Sequence, residues 1–254
     1  MTLTLRTLDV LACFTPDQPI RTLSELSHHS GLPLTTTHRI VADLLSWGAL
    51  ERTPDGRLQV GLRLWQVASL APRGLGLREV ALPFMEDLYV ATGENVQLAV
   101  REGSEAVYVE RLTGRHAVRV LTRVGDRFAL HATGVGLVLL AHAPDEVRSA
   151  VLARPLRAWT PYTITDPERL RATLADVVRT GVAVSDRQVT EDALSVACPI
   201  FGPHGEVVAA LSVVVRHGST PPQALVPAVR AAGSGISRAL GARSATTAAE
   251  SVVG

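Results

Sequence analysis

Residues 22–60 constrain the fold of this chain more strongly than any other stretch. Thr22, followed three residues later by Glu25, is the signature of a capping box and predicts a helix start. Gly31 predicts the end of that helix and a tight turn, because glycine adopts a positive φ without steric strain. Pro33 then predicts the start of a second helix. Proline is tolerated near the first turn because the backbone N–H that it lacks would have no partner within the helix. The stretch therefore predicts two helices joined by a short turn.

The second predicted helix, over residues 33–46, has an apolar face and a polar face. Its apolar residues recur at helical spacing, and the helical rotation places Thr37 beside them: Ile40, Val41, Leu44 and Leu45. The polar face and its flanks carry hydroxyls, an imidazole and a guanidinium: Thr35, Thr36, His38 and Arg39. Such groups suit phosphate oxygens and base edges, and the Arg39 guanidinium could bind a guanine bidentately.

A hairpin is predicted after Gly48, which ends the second helix. The short runs LER and LQV flank residues 54–57, and Asp-Gly between two strands is a strong hairpin signal. Arg57 would lie at the tip, within reach of a phosphate or the minor groove. Each feature alone also fits a plain packing module. Their combination in this order indicates a winged helix-turn-helix that places one helix in the major groove of DNA.

Composition restricts the class of protein. A chain of 254 residues with 46% hydrophobic and 19% charged residues is long and apolar enough for one or two folded domains, each with its own core. The net charge is only +1, so DNA binding depends on where the charges face and on two copies acting together. Two widely separated cysteines, no secretory signal and no membrane-length apolar run predict a cytoplasmic protein without a membrane partner.

The rest of the chain predicts joining helices and an α+β domain. Helical patterns cover 62–70 and 77–92, with a kink or restart at Pro83 and a hinge at 71–74. Strands and helices then follow in the order strands 95–101, 106–111 and 118–124; helices 133–142, 144–152 and 166–180; strands 182–186, 195–201 and 207–215; helix 223–241. This order favours a mostly antiparallel sheet covered by helices.

Signatures of catalysis are missing from the sequence. It contains no G-x-S-x-G, no H-E-x-x-H, no paired C-x-x-C and no strand followed by G-x-G-x-x-G. We therefore expect no catalytic residues, no metal and no cofactor. A hydrolase using His131 with Asp186 is one alternative, and a DNA-organising protein without a ligand is another. Saturable stabilisation by a metabolite would separate the last from a ligand-responsive regulator.

The chain resembles the IclR family of bacterial transcriptional regulators from about residue 5 to residue 241. In the helix-turn-helix the matching residues are Leu23, Glu25, Leu26, Ser30, Gly31, Leu32, Pro33, Thr35, Thr36, His38, Arg39, Ile40, Val41 and Leu44. Further matches follow in the order of the family: LREVALPFMEDL from residue 77, RVG and LHAT with Gly136, TITD from residue 163 and GEVVAALSV from residue 205. Each motif is weak alone, and the series is specific.

The resemblance implies a domain plan and partners. It implies a winged helix-turn-helix domain over 1–65, a linker helix region over 66–92, a GAF-like effector-binding and oligomerisation domain over 93–241, and a disordered tail over 242–254. The implied partners are double-stranded operator DNA, a small-molecule effector and a second copy, as a homodimer or a dimer-of-dimers tetramer. A repressor responding to a carboxylate-bearing or aromatic metabolite is the favoured form of this function.

The resemblance also implies the site residues. The candidate DNA contacts are Thr22, Thr35, Thr36, His38, Arg39 and Arg57. The candidate effector contacts are Gly134, Val135, Ser185, Asp186, Ser195 and Ser212. A helix N-terminus beside a glycine suits an anion, which supports the first pair. Leu34 replaces a lysine of the family, which removes one phosphate contact that the resemblance would imply. Leu137 replaces another lysine, and Ser185 replaces the first of two paired acids. These last two departures predict a ligand different from the small keto acids that some relatives bind.

Overall fold

A computed structural model describes residues 1–15, 17–71, 76–114 and 117–242 of the chain. Contacts divide the chain into two compact units, unit 1 (Met1–Pro72) and unit 2 (Arg73–Gly254). The elements of unit 1 are α1 (Leu3–Ala12), β1 (Ile20–Arg21), α2 (Leu23–Ser30), α3 (Leu34–Trp47), β2 (Leu50–Arg52), β3 (Leu58–Val60) and α4 (Leu62–Ala68). The predicted helix-turn-helix and wing are α2, α3, β2 and β3.

Local chemistry sets the ends of α2 and α3. The Thr22 hydroxyl accepts a hydrogen bond from Glu25 N (3.2 Å), while Thr22 N donates to Glu25 Oε2 (2.6 Å), which completes the predicted capping box. Gly31 (φ 66°) and Gly48 (φ 86°) end the two helices in the left-handed region that favours glycine. Pro33 is the residue before α3 and not within its first turn.

The core of unit 1 joins its helices to a small sheet. β3 pairs in antiparallel fashion with both β1 and β2. The core residues come from α1, α2, α3 and the wing, and include Val10, Leu26, Ile40, Val41, Leu44, Leu50 and Leu58. The sequence did not predict β1, because two residues are too short to show an alternating pattern.

Unit 2 is built on an antiparallel sheet with helices on both faces. Its elements are α5 (Leu77–Thr92), β4 (Asn95–Glu102), β5 (Glu105–Leu112), β6 (Arg127–Ala129), α6 (Gly134–Ala141), α7 (Asp145–Leu152), α8 (Pro167–Thr180), β7 (Ala183–Asp186), β8 (Ala193–Phe201), β9 (Val207–Arg216) and α9 (Pro222–Ala239). In the described part of the chain the strand order is β6-β5-β4-β9-β8-β7, with every neighbour antiparallel. This arrangement confirms the predicted α+β class.

Alternation along the strands produces two cores, one on each face of the sheet. Leu211 and Val213 of β9 contribute to the core that includes α5 and α9, whereas Ala210 contributes to the core that includes α6 and α8. All eight residues of α6 are buried, because this helix lies between the sheet and α8. An apolar helix with no polar face is suited to this position.

The predicted strand over 118–124 was wrong. That segment forms no ladder, and the third strand of this region is β6, which lies further along the chain. Side chains of the sheet bind its backbone instead, because Asn95 Nδ2 donates to Val118 O (2.8 Å) and Arg111 donates to Thr122 O. These bonds satisfy carbonyls that a strand partner would otherwise bind.

The region predicted to join the domains holds two separate helices. α4 belongs to unit 1, whereas α5 contributes Ala81, Met85 and Leu88 to the core of unit 2. α5 continues through Pro83, so the predicted restart there was wrong. The predicted hinge at 71–74 and the predicted tail at 242–254 lie, except for Ala71 and Ala242, outside the described residues. No described helix combines the length and the apolar character that crossing a bilayer requires.

Candidate functional site

The surface of α3 carries most of the candidate DNA contacts. Thr35, His38 and Arg39 are exposed and Thr36 is half-buried. Thr37 lies on the opposite side, fully buried, with its hydroxyl donating to Pro33 O (3.2 Å). The division into a buried apolar face and an exposed polar face agrees with the predicted helix geometry. The exposed side chains are thus free to meet phosphates and base edges.

Thr22 differs from the candidates on α3, because its hydroxyl already caps the start of α2. In addition to accepting from Glu25 N, the hydroxyl donates to Glu25 Oε2 (2.9 Å). The hydrogen bonds from Thr22 N and from its hydroxyl lower the pKa of Glu25. A DNA contact by Thr22 therefore has to share a hydroxyl that the helix start uses.

Arg57 lies at the wing tip in an ion pair. Its Nε is 2.6 Å from Asp55 Oδ2, and both side chains are about half exposed (48% and 54%). Hydrogen bonds from the Thr53 hydroxyl and from Arg57 lower the pKa of Asp55. Arg52 donates to Gly56 O (2.9 Å) and braces the same turn. The guanidinium of Arg57 is thus oriented by a neighbouring carboxylate that offsets part of its charge.

A cleft with about 430 Å³ of empty space, part of it open to solvent, lies in unit 2 between the sheet, the start of α6 and two loops; we call it the cavity. Its lining comes from β4, β5, β7, β8 and β9, from the segment before β6 and from the loop after β7: Gln97, Tyr108, Val120, Leu121, Thr122, Thr133, Gly134, Ser185, Gln188, Val189, Thr190, Ala193, Ser195 and Val214. None of these described lining residues carries a charge at neutral pH. The site offers hydroxyl, amide and backbone groups within an apolar frame, as small-molecule sites do.

The start of α6 lies at the cavity wall. The Thr133 hydroxyl caps the helix by accepting from Gly136 N (3.0 Å), and the N–H groups at positions 134 and 135 belong to the first turn, where no intrahelical acceptor exists. Gly134 lies so close to β8 that a Cβ there would be 2.6 Å from Ser195 Oγ. Val135, by contrast, is buried in the core and does not line the cavity.

Three serines from neighbouring strands were predicted, and the structure brings two of them to the cavity wall. Ser185 and Ser195 face each other across β7 and β8, and Ser185 Oγ donates to Ala132 O (2.9 Å). Ser212 is fully buried on β9 between Gln97 and Ala197, outside the lining. Its Oγ has no hydrogen-bond partner among the residues that the structure describes.

Asp186 does not line the cavity. Its carboxylate accepts a hydrogen bond from His217 Nδ1 (2.7 Å), and Arg187 Nε lies 3.4 Å from the same oxygen. Because successive residues of a strand point to opposite faces, Asp186 follows the cavity-lining Ser185 but projects to the other side. The hydrogen bond from His217 links the end of β7 to the end of β9.

Several lining residues were missed by the sequence. Gln97 Nε2 donates to Thr122 Oγ1 (2.5 Å), which ties β4 to the segment before β6. Tyr108 interacts with the Thr133 side chain, and burial raises the pKa of its hydroxyl. Gln188 covers the cavity from the loop after β7. No local motif marks these residues, because separate strands and loops bring them together only in the folded chain.

His131 and the cysteines occupy structural positions. His131 Nε2 lies 3.0 Å from Arg157 O, so the imidazole donates to that carbonyl, and burial lowers its pKa. Cys13 and Cys198 are both buried and unbridged, and burial raises the pKa of Cys198 to about 12, which keeps its thiol protonated. Within the described ranges, no group of three or more His, Cys, Asp or Glu side chains has a metal-binding arrangement.

Comparisons with known proteins place both units in one family. The model of the IclR helix-turn-helix domain matches residues 4–54, and that of the bacterial transcriptional regulator IclR C-terminal domain matches residues 71–238. The chain is 34% identical to the HTH-type transcriptional regulator KipR of Bacillus subtilis over 197 residues, covering 77% of this chain and 79% of KipR. It is 32% identical over 193 residues to the HTH-type transcriptional repressor AllR of Escherichia coli, which covers 75% of this chain and 71% of AllR.

One solved structure is similar to this chain along almost the whole length of both proteins. It is an IclR homolog from Microbacterium hydrocarbonoxydans complexed with 4-hydroxybenzoate, with 39% sequence identity and a TM-score of 0.90. The similarity covers 94% of this chain and 99% of that one. The proteins of this family are transcriptional regulators and not enzymes, which agrees with the lack of catalytic motifs. The chain belongs to the IclR family of bacterial transcriptional regulators.

Proposed function

We propose that this chain is a ligand-responsive repressor that binds operator DNA through α3 and a small metabolite in the cavity of unit 2. The observation that carries the proposal is the division of α3, with Thr37 buried on one side and Arg39 exposed on the other. Its membership of a family of DNA-binding regulators supports the same role. Bacterial operator DNA lies in the cytoplasm, where we therefore place the protein.

In this proposal α3 enters a major groove and the wing meets the backbone. Arg39 reads a base edge, while the hydroxyls of Thr35 and Thr36 and the His38 imidazole bind phosphates or base edges. Arg57 reaches a phosphate from the wing, and Thr22 contributes through the start of α2. Six arginines and six acids over residues 1–65 leave this region without excess charge, so affinity comes from placement and from two heads on a near-palindrome.

A second copy of the chain supplies the second head. α1 exposes Leu3, Leu5 and Leu8 at about half of their surface, and α4 exposes Leu62 and Trp65 at about 60%. Apolar side chains on adjacent turns of one helix are typical of faces that a partner covers. We therefore propose a homodimer, which can pair into a tetramer. Its mass in solution, measured by light scattering, tests this part directly.

The effector is proposed to be a small aromatic or carboxylate-bearing metabolite. A carboxylate would lie at the first turn of α6, where the N–H of Gly134 at the cavity wall and the helix dipole favour an anion. Ser195 and Ser185 add hydroxyls beside it, and Val120, Leu121 and Val214 give an apolar wall. The 4-hydroxybenzoate bound by the Microbacterium homolog has this chemistry and supports the choice.

Two further effector candidates act from outside the cavity lining. Ser212 lies below the floor with an orphaned hydroxyl, which a ligand or water reaching that depth would satisfy. Asp186 holds the loop after β7 through His217 and thereby influences the roof of the cavity. With Ser185 in place of an acid, the site accepts an anion without repulsion from a carboxylate at that position.

Ligand and DNA are coupled by thermodynamic linkage. The effector changes DNA affinity only to the extent that it binds one conformation of the protein more tightly than the other. The test measures binding of the full chain to a DNA fragment from its own upstream region, with and without 4-hydroxybenzoate, by fluorescence anisotropy. A saturable change in the Kd for DNA supports a ligand-responsive regulator. DNA binding without response to 4-hydroxybenzoate or related benzoates would favour the DNA-organising alternative.

A further inference from the structure

The loop after β7 forms a roof over the cavity that is fixed from its outer side. Its residue Gln188 lines the cavity and is only 5% exposed. Two hydroxyls from the loop before α8 bind its backbone, because Thr160 Oγ1 donates to Arg187 O and Thr163 Oγ1 donates to Gln188 O, each at 2.6 Å. The backbone of the roof is therefore held in place without any contribution from a ligand.

The side-chain amide of Gln188 has a defined orientation. Ile164 N donates to Gln188 Oε1 (3.2 Å), and of the two polar atoms of the amide only the oxygen can accept a hydrogen bond. This bond fixes the amide oxygen toward the loop before α8 and turns the Nε2 group away from it. Nε2 donates to no other residue within the described ranges, and it is not among the fully buried atoms there that lack a partner, so it is accessible at the cavity that Gln188 lines. A positioned donor at a cavity wall without a protein acceptor is suited to an acceptor on a ligand.

We propose that Gln188 determines effector specificity by donating a hydrogen bond from Nε2 to a carboxylate oxygen of the ligand. The inference rests on the proposed function, since it assumes that the cavity is the effector site. The described lining residues carry no charge at neutral pH, so recognition of an anion depends on oriented neutral donors. Gln188 is a donor whose position the protein fixes in advance, which makes it selective for an acceptor.

Replacing Gln188 with glutamate converts the donor into an acceptor with little change in shape. One carboxylate oxygen of Q188E still accepts from Ile164 N, so the roof keeps its anchor, while the other oxygen now faces the cavity. The matched control is T190E, which adds the same charge to the same roof but leaves Gln188 in place. Q188M removes the donor without adding charge and serves if Q188E does not fold.

Isothermal titration calorimetry tests the proposal by measuring the affinity of the full chain for 4-hydroxybenzoate and for its neutral amide, 4-hydroxybenzamide. For Q188E we expect the affinity for 4-hydroxybenzoate to fall by about 10- to 100-fold, the size of a lost hydrogen bond to a charged group. The affinity for the amide should fall less, because an amide can donate to the new carboxylate. T190E should lower the affinity for 4-hydroxybenzoate less than Q188E does. Q188M should lower this affinity by about 10-fold.

Two results would overturn the role of Gln188 alone. One is unchanged 4-hydroxybenzoate binding by Q188E or Q188M, and the other is an equal loss in Q188E and T190E with the same preference between acid and amide. If the unsubstituted chain binds neither compound, the proposed effector class falls together with the role of Gln188. Binding to the unsubstituted chain thus separates failure of the proposed function from failure of this inference.

Discussion

Thr37 and Arg39 lie two residues apart on α3 and project from opposite sides of it. Thr37 is fully buried and its hydroxyl donates to Pro33 O, whereas Arg39 is exposed. The relationship follows from the helical repeat, because two residues of an α-helix are separated by more than half a turn. It means that the core side and the exposed polar surface of α3 can be altered independently.

Arg39→Ala should weaken binding to the specific DNA site by about 1–3 kcal/mol and relax the preference for one base pair. The side chain is exposed, so the thermal unfolding of the variant should match that of the unsubstituted chain. Arg179→Ala is the control, since Arg179 on α8 of unit 2 is 72% exposed and forms a surface ion pair with Asp176. Equal DNA affinity for all three proteins would argue against α3 as the reading helix.

The ion pair at the wing predicts opposite effects for its two members. Arg57→Ala should lower the affinity for all DNA sequences and reduce the slope of log K against log salt by about 1, as expected for one lost phosphate contact. Asp55→Asn should raise affinity slightly, because it removes the carboxylate that offsets the charge of Arg57. Titrations at several salt concentrations measure both effects. A wing that makes no DNA contact would leave both slopes unchanged.

The capping box makes the start of α2 sensitive to acid. The Thr22 backbone N–H and hydroxyl lower the pKa of Glu25 in the folded chain. A lowered carboxyl pKa stabilises the fold above the unfolded value, about 4.3, and this contribution is lost as pH falls through the folded value. Hydrogen exchange at the first turn of α2 should therefore accelerate as pH decreases in that window, after correction for the intrinsic exchange rate.

Glu25→Gln supplies the control for the acid dependence. It keeps a side-chain acceptor for Thr22 N but removes the titrating group. The corrected exchange rate of α2 should therefore vary less between about pH 5 and about pH 3 than it does in the unsubstituted chain. The same acid dependence in both proteins would show that another group is responsible. Thr22→Ala should accelerate exchange at every pH and destabilise the helix start by about 1 kcal/mol.

Gly134 allows α6 to approach β8, and we expect Gly134→Ala to destabilise unit 2. The new Cβ would meet Ser195 Oγ at 2.6 Å and Ala197 Cβ at 3.3 Å, so neighbours in a packed core must shift, at about 1–3 kcal/mol. Adding Ser195→Ala removes Ser195 Oγ, the atom closest to the new Cβ, and should restore part of the lost free energy of unfolding. Urea unfolding of the single and double variants checks this. Additive losses in the double variant would contradict the packing argument.

The elements that the sequence predicted well are those with local signals. Thr22 with Glu25 and the glycines at 31 and 48 specify the ends of α2 and α3 through bonds and φ values confined to a few residues. The alternating strands from β7 to β9 were likewise predicted with small errors at their ends. Where propensity and tertiary environment agree, sequence reasoning is sufficient.

The elements that were missed depend on contacts distant in the chain. Val118 to Thr122 alternates like a strand, yet side chains of Asn95 and Arg111 bind its carbonyls and leave it irregular. The cavity shows the same limit, since Gln97 and Gln188 meet there from segments about ninety positions apart. The resemblance supplied Gly134, Ser185 and Ser195 at the cavity wall, but only the folded chain shows the amides that complete it.

The most direct test of the account is a selection of double-stranded DNA from a random library by the full-length chain, repeated with Arg39→Ala. We expect the unsubstituted chain to enrich one motif with inverted symmetry, since two α3 helices of a dimer would each read a half-site. Arg39→Ala should lose its preference at one position in each half-site. Failure of the unsubstituted chain to enrich any motif, or the same motif with the same preferences for Arg39→Ala, would contradict the account.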